Sequence, residues 1–232
     1  MALDLAVVRD NLGYLLVGRA ASGEPGGLLL TLILSAAAGL LALVIGVALA
    51  LAAWIFGGWT RRLLFLWSDL IRAVPLVLVI FWLFFLLPAL FGDTPGWLTV
   101  VLALAWFTAA SVMHSTLAGL QALPKTQMEA ALASGLSPVQ ALRLVLLPQA
   151  VPNILPSLLG LFVALIKDTS LAFIVNVPEL TTVATQVNNQ TQVYPAEIFL
   201  TVALLYLIPT GGLSLLMSAL TRKRAPQKRP IG

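Results

Sequence analysis

The sequence predicts an all-α membrane protein with five transmembrane helices, and three observations carry that expectation. Of 232 residues, 60% are hydrophobic and only 9% are charged. Soluble domains carry roughly 25% charged residues, so too few charges remain here to cover a water-facing surface. Apolar runs of about 20 residues, the length that a ~30 Å hydrocarbon core requires of a helix, recur along the chain. Threading the chain through five such runs gathers its basic residues on one face. There are no cysteines, which excludes disulfides, thiolate metal sites and cysteine nucleophiles.

Residues 1–26 read as an N-terminal interfacial segment. Leu5, Val8, Leu12, Leu15 and Leu16 fall at helical spacing among charges of both signs, which suits a short amphipathic helix at the membrane surface. A basic start and a small-residue cleavage site are missing, so this is not a signal peptide. The first span covers 27–56 and is longer than the bilayer is thick, which calls for tilt. Ser35, Gly39, Ala42, Gly46 and Ala50 form a stripe of small residues along it, and such a stripe admits a close neighbour. The second span covers 63–91 with Pro75 inside it, where a kink is expected. The segment 92–96, Gly-Asp-Thr-Pro-Gly, is a turn. The third span covers 97–119, the fourth runs from near 150 to about 175, and the fifth covers 198–220. Polar stretches at 120–148 and 176–196 separate them, the latter read as a loop with a short helix. A basic tail, 222–232, ends the chain.

The charge map checks this threading. Arg61, Arg62 and Arg72 follow the first span, Lys125 and Arg143 follow the third, and Arg222, Lys223, Arg224, Lys228 and Arg229 follow the fifth. Only Arg9 and Arg19 fall on the opposite face. A missed or added span would scatter these residues over both faces. The positive-inside rule then places the N-terminus outside and the C-terminus in the cytoplasm.

The stretch 129–148 is therefore cytoplasmic. Ala130, Leu132, Ala133 and Leu136 suit one face of a short helix, and Ser137 with Pro138 restarts a second helix as N-cap and first residue. Pattern alone allows a plain loop helix or a helix presented to a partner. The residues themselves point further. Glu129-Ala130-Ala131, with Gly135, Val145, Leu147 and Pro148 behind it, resembles the EAA loop of bacterial ABC-importer permeases, with Val145 where isoleucine is usual. Gln127-Met128, Leu147-Pro148-Gln149-Ala150, Lys167-Asp168-Thr169-Ser170-Leu171, Val177-Pro178-Glu179-Leu180 and Arg72-Ala73-Val74-Pro75-Leu76 are similar to the polar amino acid (histidine/glutamine/glutamate) subfamily. The resemblance spans roughly 28–221.

That resemblance implies a type I ABC importer transmembrane domain over 27–221, in a permease subunit that carries a polar amino acid across the bacterial inner membrane. Acidic amino acids or another small solute are the alternative cargo. It implies that Glu129, Ala130, Ala131, Gly135 and Pro148 couple the chain to a separate ATPase dimer, with ATP and Mg held there and no cofactor in this chain. The other implied partners are a second permease chain, the same or homologous, an extracytoplasmic substrate-binding protein and membrane lipid, with no nucleic acid. One departure stands out. Such permeases usually read Ala-Tyr-x-x-Glu-x-x-Arg-Gly on the third span. Here the matching residues are Ala110, Ser111, His114, Leu117 and Ala118, so the tyrosine, glutamate and arginine are gone. This suggests a chain that pairs with a different permease chain.

Nothing in the sequence reads as G-x-x-x-x-G-K-[ST], so the chain has no phosphate cradle of that kind. No Ser/His dyad, aspartate pair or metal motif is present to support intramembrane catalysis. A stand-alone channel or secondary transporter would be favoured by internal repeats, and none is visible. Candidate residues for the substrate path are Arg72, His114, Lys167, Asp168, Thr169 and Ser170. Charges inside a span cost about 3 kcal/mol each on insertion scales and usually pair or face a cavity. Lys167 and Asp168, with Thr169 or Ser170, flank the path or lock a helix bend, or else the span ends near Ile166 and they sit at the interface. Arg72 is a cytoplasmic anchor or an interhelical clamp. His114, the one histidine, is a packing residue or a substrate contact; alone and without cysteine it makes no metal site.

Overall fold

The computed structural model describes residues 6–222. Leu5 and the basic tail beyond Arg222 lie outside the described residues. Helix α1 (Ala6–Val17) leads into a two-stranded antiparallel hairpin, β1 (Gly18–Arg19) and β2 (Glu24–Pro25), in which Arg19 lies opposite Glu24. Helices α2 (Gly27–Phe56), α3 (Gly58–Ala73), α4 (Leu76–Phe91) and α5 (Gly96–Gln121) follow. Two short helices, α6 (Lys125–Ala133) and α7 (Pro138–Ala141), make the connection to α8 (Leu147–Asp168). A 3₁₀ segment, Thr169–Val175, extends α8, and α9 (Leu180–Thr191) and α10 (Pro195–Arg222) complete the fold.

Among the described residues, four helical runs are long and apolar enough to cross a membrane alone: Gly27–Phe56, Gly96–Gln121, Pro138–Val175 and Pro195–Ala219. The second span differs from the expectation of one kinked helix over 63–91. It is two helices, α3 and α4, bent by 99°. The cause is local. Pro75 has no N–H to donate and crowds the residue before it out of helical space, so Val74 is extended at φ −89°, ψ 135°. Composition supports the break as well. Arg61, Arg62, Ser68, Asp69 and Arg72 give α3 a polar face, whereas α4 is apolar almost throughout.

The fourth span also begins earlier than expected, because helical structure is continuous from Pro138. It passes through a widened π turn at Leu142–Leu146. Pro148 lies just beyond, and its ring would crowd the carbonyl of Leu144 in a regular α-helix. A π turn is a known way to absorb such a local misfit.

The centre of the fold is the contact of α2 with α5. Ser35, Gly39, Ala42, Gly46 and Ala50 are all buried, as the small-residue stripe predicts. A Cβ on Gly46 would lie 2.5 Å from Val112 Cβ and 2.7 Å from the Ala109 carbonyl oxygen. Gly39 faces the ring of Phe162 in the same way, and Gly119 of α5 faces Ile154 of α8. Glycine is needed here for close approach rather than for a turn. At one end, Leu15 of α1 is buried with Leu180, Val183 and Ala184 of α9 and Ile198 of α10. Leu12 stays exposed. The N-terminal segment thus packs through Leu15 on the protein's own α9.

Candidate functional site: the α6–α7 loop and two polar groups in the bundle

The loop between α5 and α8 is built from local capping signals. Three backbone bonds close α6: Ser134 N–H to Ala130, Gly135 N–H to Leu132 and Leu136 N–H to Ala131, at 3.0, 3.0 and 3.2 Å. The last two form a Schellman end, which wants a left-handed residue just past the helix. Gly135 supplies it at φ +84°. Two residues on, Ser137 accepts from the Gln140 N–H at 3.3 Å, and the Gln140 side chain accepts from the Ser137 N–H at 2.9 Å. With Pro138 at the first position, this is a complete capping box. The N-cap expected at Ser137 is therefore present. Replacing Ser137 with alanine should cost about 1 kcal/mol of local stability. Hydrogen exchange should quicken at the amides of 138–142 while α2 and α5 stay protected.

The loop is anchored from below and open above. Met128 and Leu123 pack on a cluster of Leu120, Leu142, Leu146, Ala150 and Ile154. Gln149 donates to the Gln127 side chain at 3.3 Å and to the Val145 carbonyl at 3.0 Å, tying α6 to the start of α8. Ala131 is buried, whereas Glu129, Ala130, Gly135 and Pro148 are exposed. Leu132, Val139 and Leu144 are exposed as well. A cavity of about 400 Å³ lined by Trp54, Leu123, Pro124, Met128, Glu129 and Leu146 opens beside α6.

The candidate path residues fall into two groups rather than one. His114 of α5 lies against the α3 elbow: its Nε2 is 3.7 Å from Asp69 Oδ1, and its ring meets Phe65 edge-on at 4.9 Å. At 3.7 Å the His114–Asp69 contact is too long for a hydrogen bond. Arg72 is exposed in the last turn of α3, immediately before the break. One residue beyond His114, Ser115 shares a 2.8 Å hydrogen bond with Ser157 of α8. Lys167 lies ten residues further along α8, about 15 Å of helical rise away. It is exposed, Asp168 and Ser170 are half-buried and Thr169 is fully buried. The Thr169 hydroxyl donates to the Ile166 carbonyl at 2.6 Å, where α8 tightens into the 3₁₀ segment. Lys167 and Asp168 form no ion pair with each other among the described residues, in keeping with the ~100° between successive helix positions. An apolar cavity of about 610 Å³ sits at the elbow, lined by Ile71, Val74, Leu78, Trp82, Leu102 and Trp106 among others.

Glu179, within the Val177-Pro178-Glu179-Leu180 match, has no role that the match alone assigns. Glu179 is fully buried at the N-cap of α9. Its Oε1 accepts from the Thr182 N–H at 2.9 Å and the Thr182 hydroxyl at 3.1 Å. Its Oε2 accepts from the Thr181 N–H and the Tyr206 hydroxyl, both at 2.9 Å. The Thr31 hydroxyl of α2 accepts from the Leu180 N–H at 3.1 Å, and the Gly27 N–H donates to the Pro178 carbonyl at 2.9 Å. One carboxyl thereby joins α9 to α10, beside two bonds that hold α2. Burial pushes its pKa above the usual carboxylate value, with the Thr181 and Thr182 amides pulling against that shift. An N-cap acid before Thr-Thr was legible in the sequence; its partner Tyr206 was not.

The family model for "Binding-protein-dependent transport system inner membrane component" matches residues 27–226. The glutamine transport system permease protein GlnP of Escherichia coli (strain K12) is 33% identical over 184 residues, covering 78% of this chain and 83% of that protein. The probable glutamine ABC transporter permease protein GlnP of Bacillus subtilis (strain 168) is 38% identical over 149 residues, covering 63% and 68%. A crystal structure of an amino acid ABC transporter with histidines superposes with a TM-score of 0.80 at 27% identity, covering 96% of this chain and all of that one. The MetNI methionine ABC transporter, in an inward-facing conformation, shares the fold with a TM-score of 0.71 at 20% identity, over 85% of this chain and 94% of that one. A bundle of apolar helices, a capped loop at one end and a family match across most of its length together place the chain: it belongs to the family of binding-protein-dependent transport system inner membrane components, the permease subunits of ABC transporters.

Proposed function

We propose that this permease works in an ATP-driven importer that carries a polar amino acid across the bacterial inner membrane, with the N-terminus outside and the C-terminus in the cytoplasm. The relatives named for glutamine transport support the cargo class, and the basic residues gathered on the α6–α7 face support the orientation. One observation carries the reading. The α6–α7 loop is rigid through its own caps yet presents Glu129, Ala130, Leu132, Val139 and Leu144 outward. A helix held this firmly and left this open suits a lever pushed by a separate ATPase dimer, whose closure on ATP and Mg would tilt one permease chain against a second. Gly135 ends the lever, and Pro148 marks the π turn through which α8 receives the push. A binding protein outside would deliver the amino acid.

Within the bundle, His114, Asp69 and Arg72 face the inner half of the path at the α3 elbow, and Lys167, Asp168, Thr169 and Ser170 flank its outer half. Cargo passing between them meets polar groups at two depths, which gives the two-group arrangement a role.

The test is Gly135→Arg in the whole transporter. A non-glycine residue at φ +84° is strained by about 1–2 kcal/mol, and the arginine stands where the lever would dock. ATP-dependent uptake into proteoliposomes is expected to fall at least tenfold, with the ATPase lost from detergent-solubilised pull-downs. The isolated chain should keep the helicity of the native one. An unchanged uptake would overturn the lever role of the α6–α7 loop, and a chain that transports with no ATPase present would overturn the importer reading.

A further inference from the structure

The N-terminal hairpin carries a feature that coupling and transport do not use. Arg19 and Glu24 are directly opposed across β1 and β2, so their side chains leave the same face of the ribbon. They carry opposite charge, both are exposed, and they form no ion pair with each other among the described residues. Both line a cavity of about 310 Å³ between the hairpin and α9. Its other polar walls are Tyr14, Asn176, Gln186 and Gln190.

Two left-handed residues shape the backbone around this cavity. Gly18 sits at φ +61° with Gly26 pressed against its Cα face, so a side chain there has no room. Asn176 adopts φ +55°, one of two described non-glycine residues with positive φ. Asn adopts this left-handed conformation readily, and here it ends the 3₁₀ segment and turns the chain into the cavity wall. The Tyr14 hydroxyl donates to the Gln186 Oε1 at 2.6 Å, which fixes the amide and leaves its NH₂ free to donate. Small-ligand sites are concave and about 300–1,000 Å³; this cavity falls at the small end of that range, with a lining more polar than usual.

We infer that the cavity between the hairpin and α9 binds one free α-amino acid as its zwitterion, the carboxylate on Arg19 and the ammonium on Glu24. A guanidinium pairs a carboxylate through two parallel N–H bonds, and a carboxylate answers an ammonium. The amides of Asn176, Gln186 and Gln190 suit a polar side chain. The cross-strand attraction between two exposed charges is weak, so a ligand that satisfies both replaces it readily. This inference rests on the amino-acid importer reading, and on the orientation that puts α1 and α9 outside, where the site would hold cargo before it enters the bundle.

Equilibrium binding of radiolabelled amino acids to the whole transporter in nanodiscs tests it, without binding protein or ATP. L-Glutamine is the first probe, followed by the other polar amino acids, with N-acetyl-L-glutamine and L-glutaminamide as charge-deleted analogues. Arg19→Ala and Glu24→Ala are each expected to weaken binding tenfold or more. Arg9→Ala, an exposed base on the same segment, should leave it unchanged, and neither analogue should compete. Both tested residues are exposed, so folding should be preserved, and the elution profile of the assembled transporter checks that. Binding that is indifferent to Arg19 and Glu24 would overturn the inference while ATP-dependent uptake still upheld the importer. Absence of both binding and ATP-dependent uptake for every amino acid would overturn the two together.

Discussion

Gly46→Leu is expected to remove most of the folded chain from the membrane. Gly46 lies at the middle of α2 where that helix crosses α5. A side chain there meets Val112 Cβ at 2.5 Å and the Ala109 carbonyl oxygen at 2.7 Å. Both distances are below any that real Cβ atoms tolerate, and one partner is helix backbone, which cannot rotate away. The helices would have to separate along a contact that also holds Ser35, Ala42 and Ala50. In lipid, separation is not resisted by apolar burial, because hydrocarbon replaces helix. What is lost is close van der Waals packing. Overpacking a tight interior typically costs 1–3 kcal/mol and occasionally more, and an obstructed backbone puts this site at about 3 kcal/mol or above. Gly160 of α8 is the control. It is exposed, and nothing lies within 4 Å of its Cβ position. Gly160→Leu should therefore be tolerated, and the better helix propensity of leucine should compensate for any lost flexibility. Chain recovered in a monodisperse peak after detergent extraction distinguishes them. Equal recovery of the two variants would show that the α2–α5 contact is not close enough to matter.

The contrast between features that could and could not be read from sequence follows sequence separation. The α2 stripe was legible because a four-residue repeat is one face of one helix. The loop was legible because Ser137, Pro138 and Gln140, and the Gly135 that ends α6, act within a few residues of each other. The α3 elbow was half legible. Pro75 marks the position of a bend, but a single span over 63–91 takes in Ser68, Asp69 and Arg72 with its apolar residues, while Arg61 and Arg62 precede it. Pro75 breaks the helix, and the polar face sets α3 apart from the apolar α4 while α3 packs against α5 through Phe65, Ser68 and Trp67. Asp69 beside His114 was missed for the same reason: 45 positions separate them, and no local pattern reports such a pair. The separation of Lys167 and Asp168 from the His114 group is a matter of depth along α8, which a list of candidate residues does not carry.

Glu179 is the strongest case of non-local design, and its replacement is the second large effect. Four donors converge on its carboxyl group, from the Thr181 and Thr182 amides, the Thr182 hydroxyl and the Tyr206 hydroxyl. Alanine would leave buried donors without acceptors, at about 1–3 kcal/mol for each one that stays unsatisfied. Glu179→Ala should therefore destabilise α9 and its contact with α10, with uptake falling alongside folded yield. Glu179→Gln keeps the shape and one acceptor oxygen, so it should lose distinctly less. The pH dependence follows from the direction of the shift. Burial raises the folded-state pKa above the ordinary 4.5, so folding favours the protonated form. The stability this contributes is full below 4.5 and is lost as pH rises through the folded value. Native protein should thus lose stability across that window, and Glu179→Gln, which cannot titrate, should lack this component. Thermal unfolding of both chains in the same detergent, between pH 4 and 8, reads the difference. Parallel curves would mean that the carboxyl group does not titrate in this range, and that its four donors hold it charged throughout.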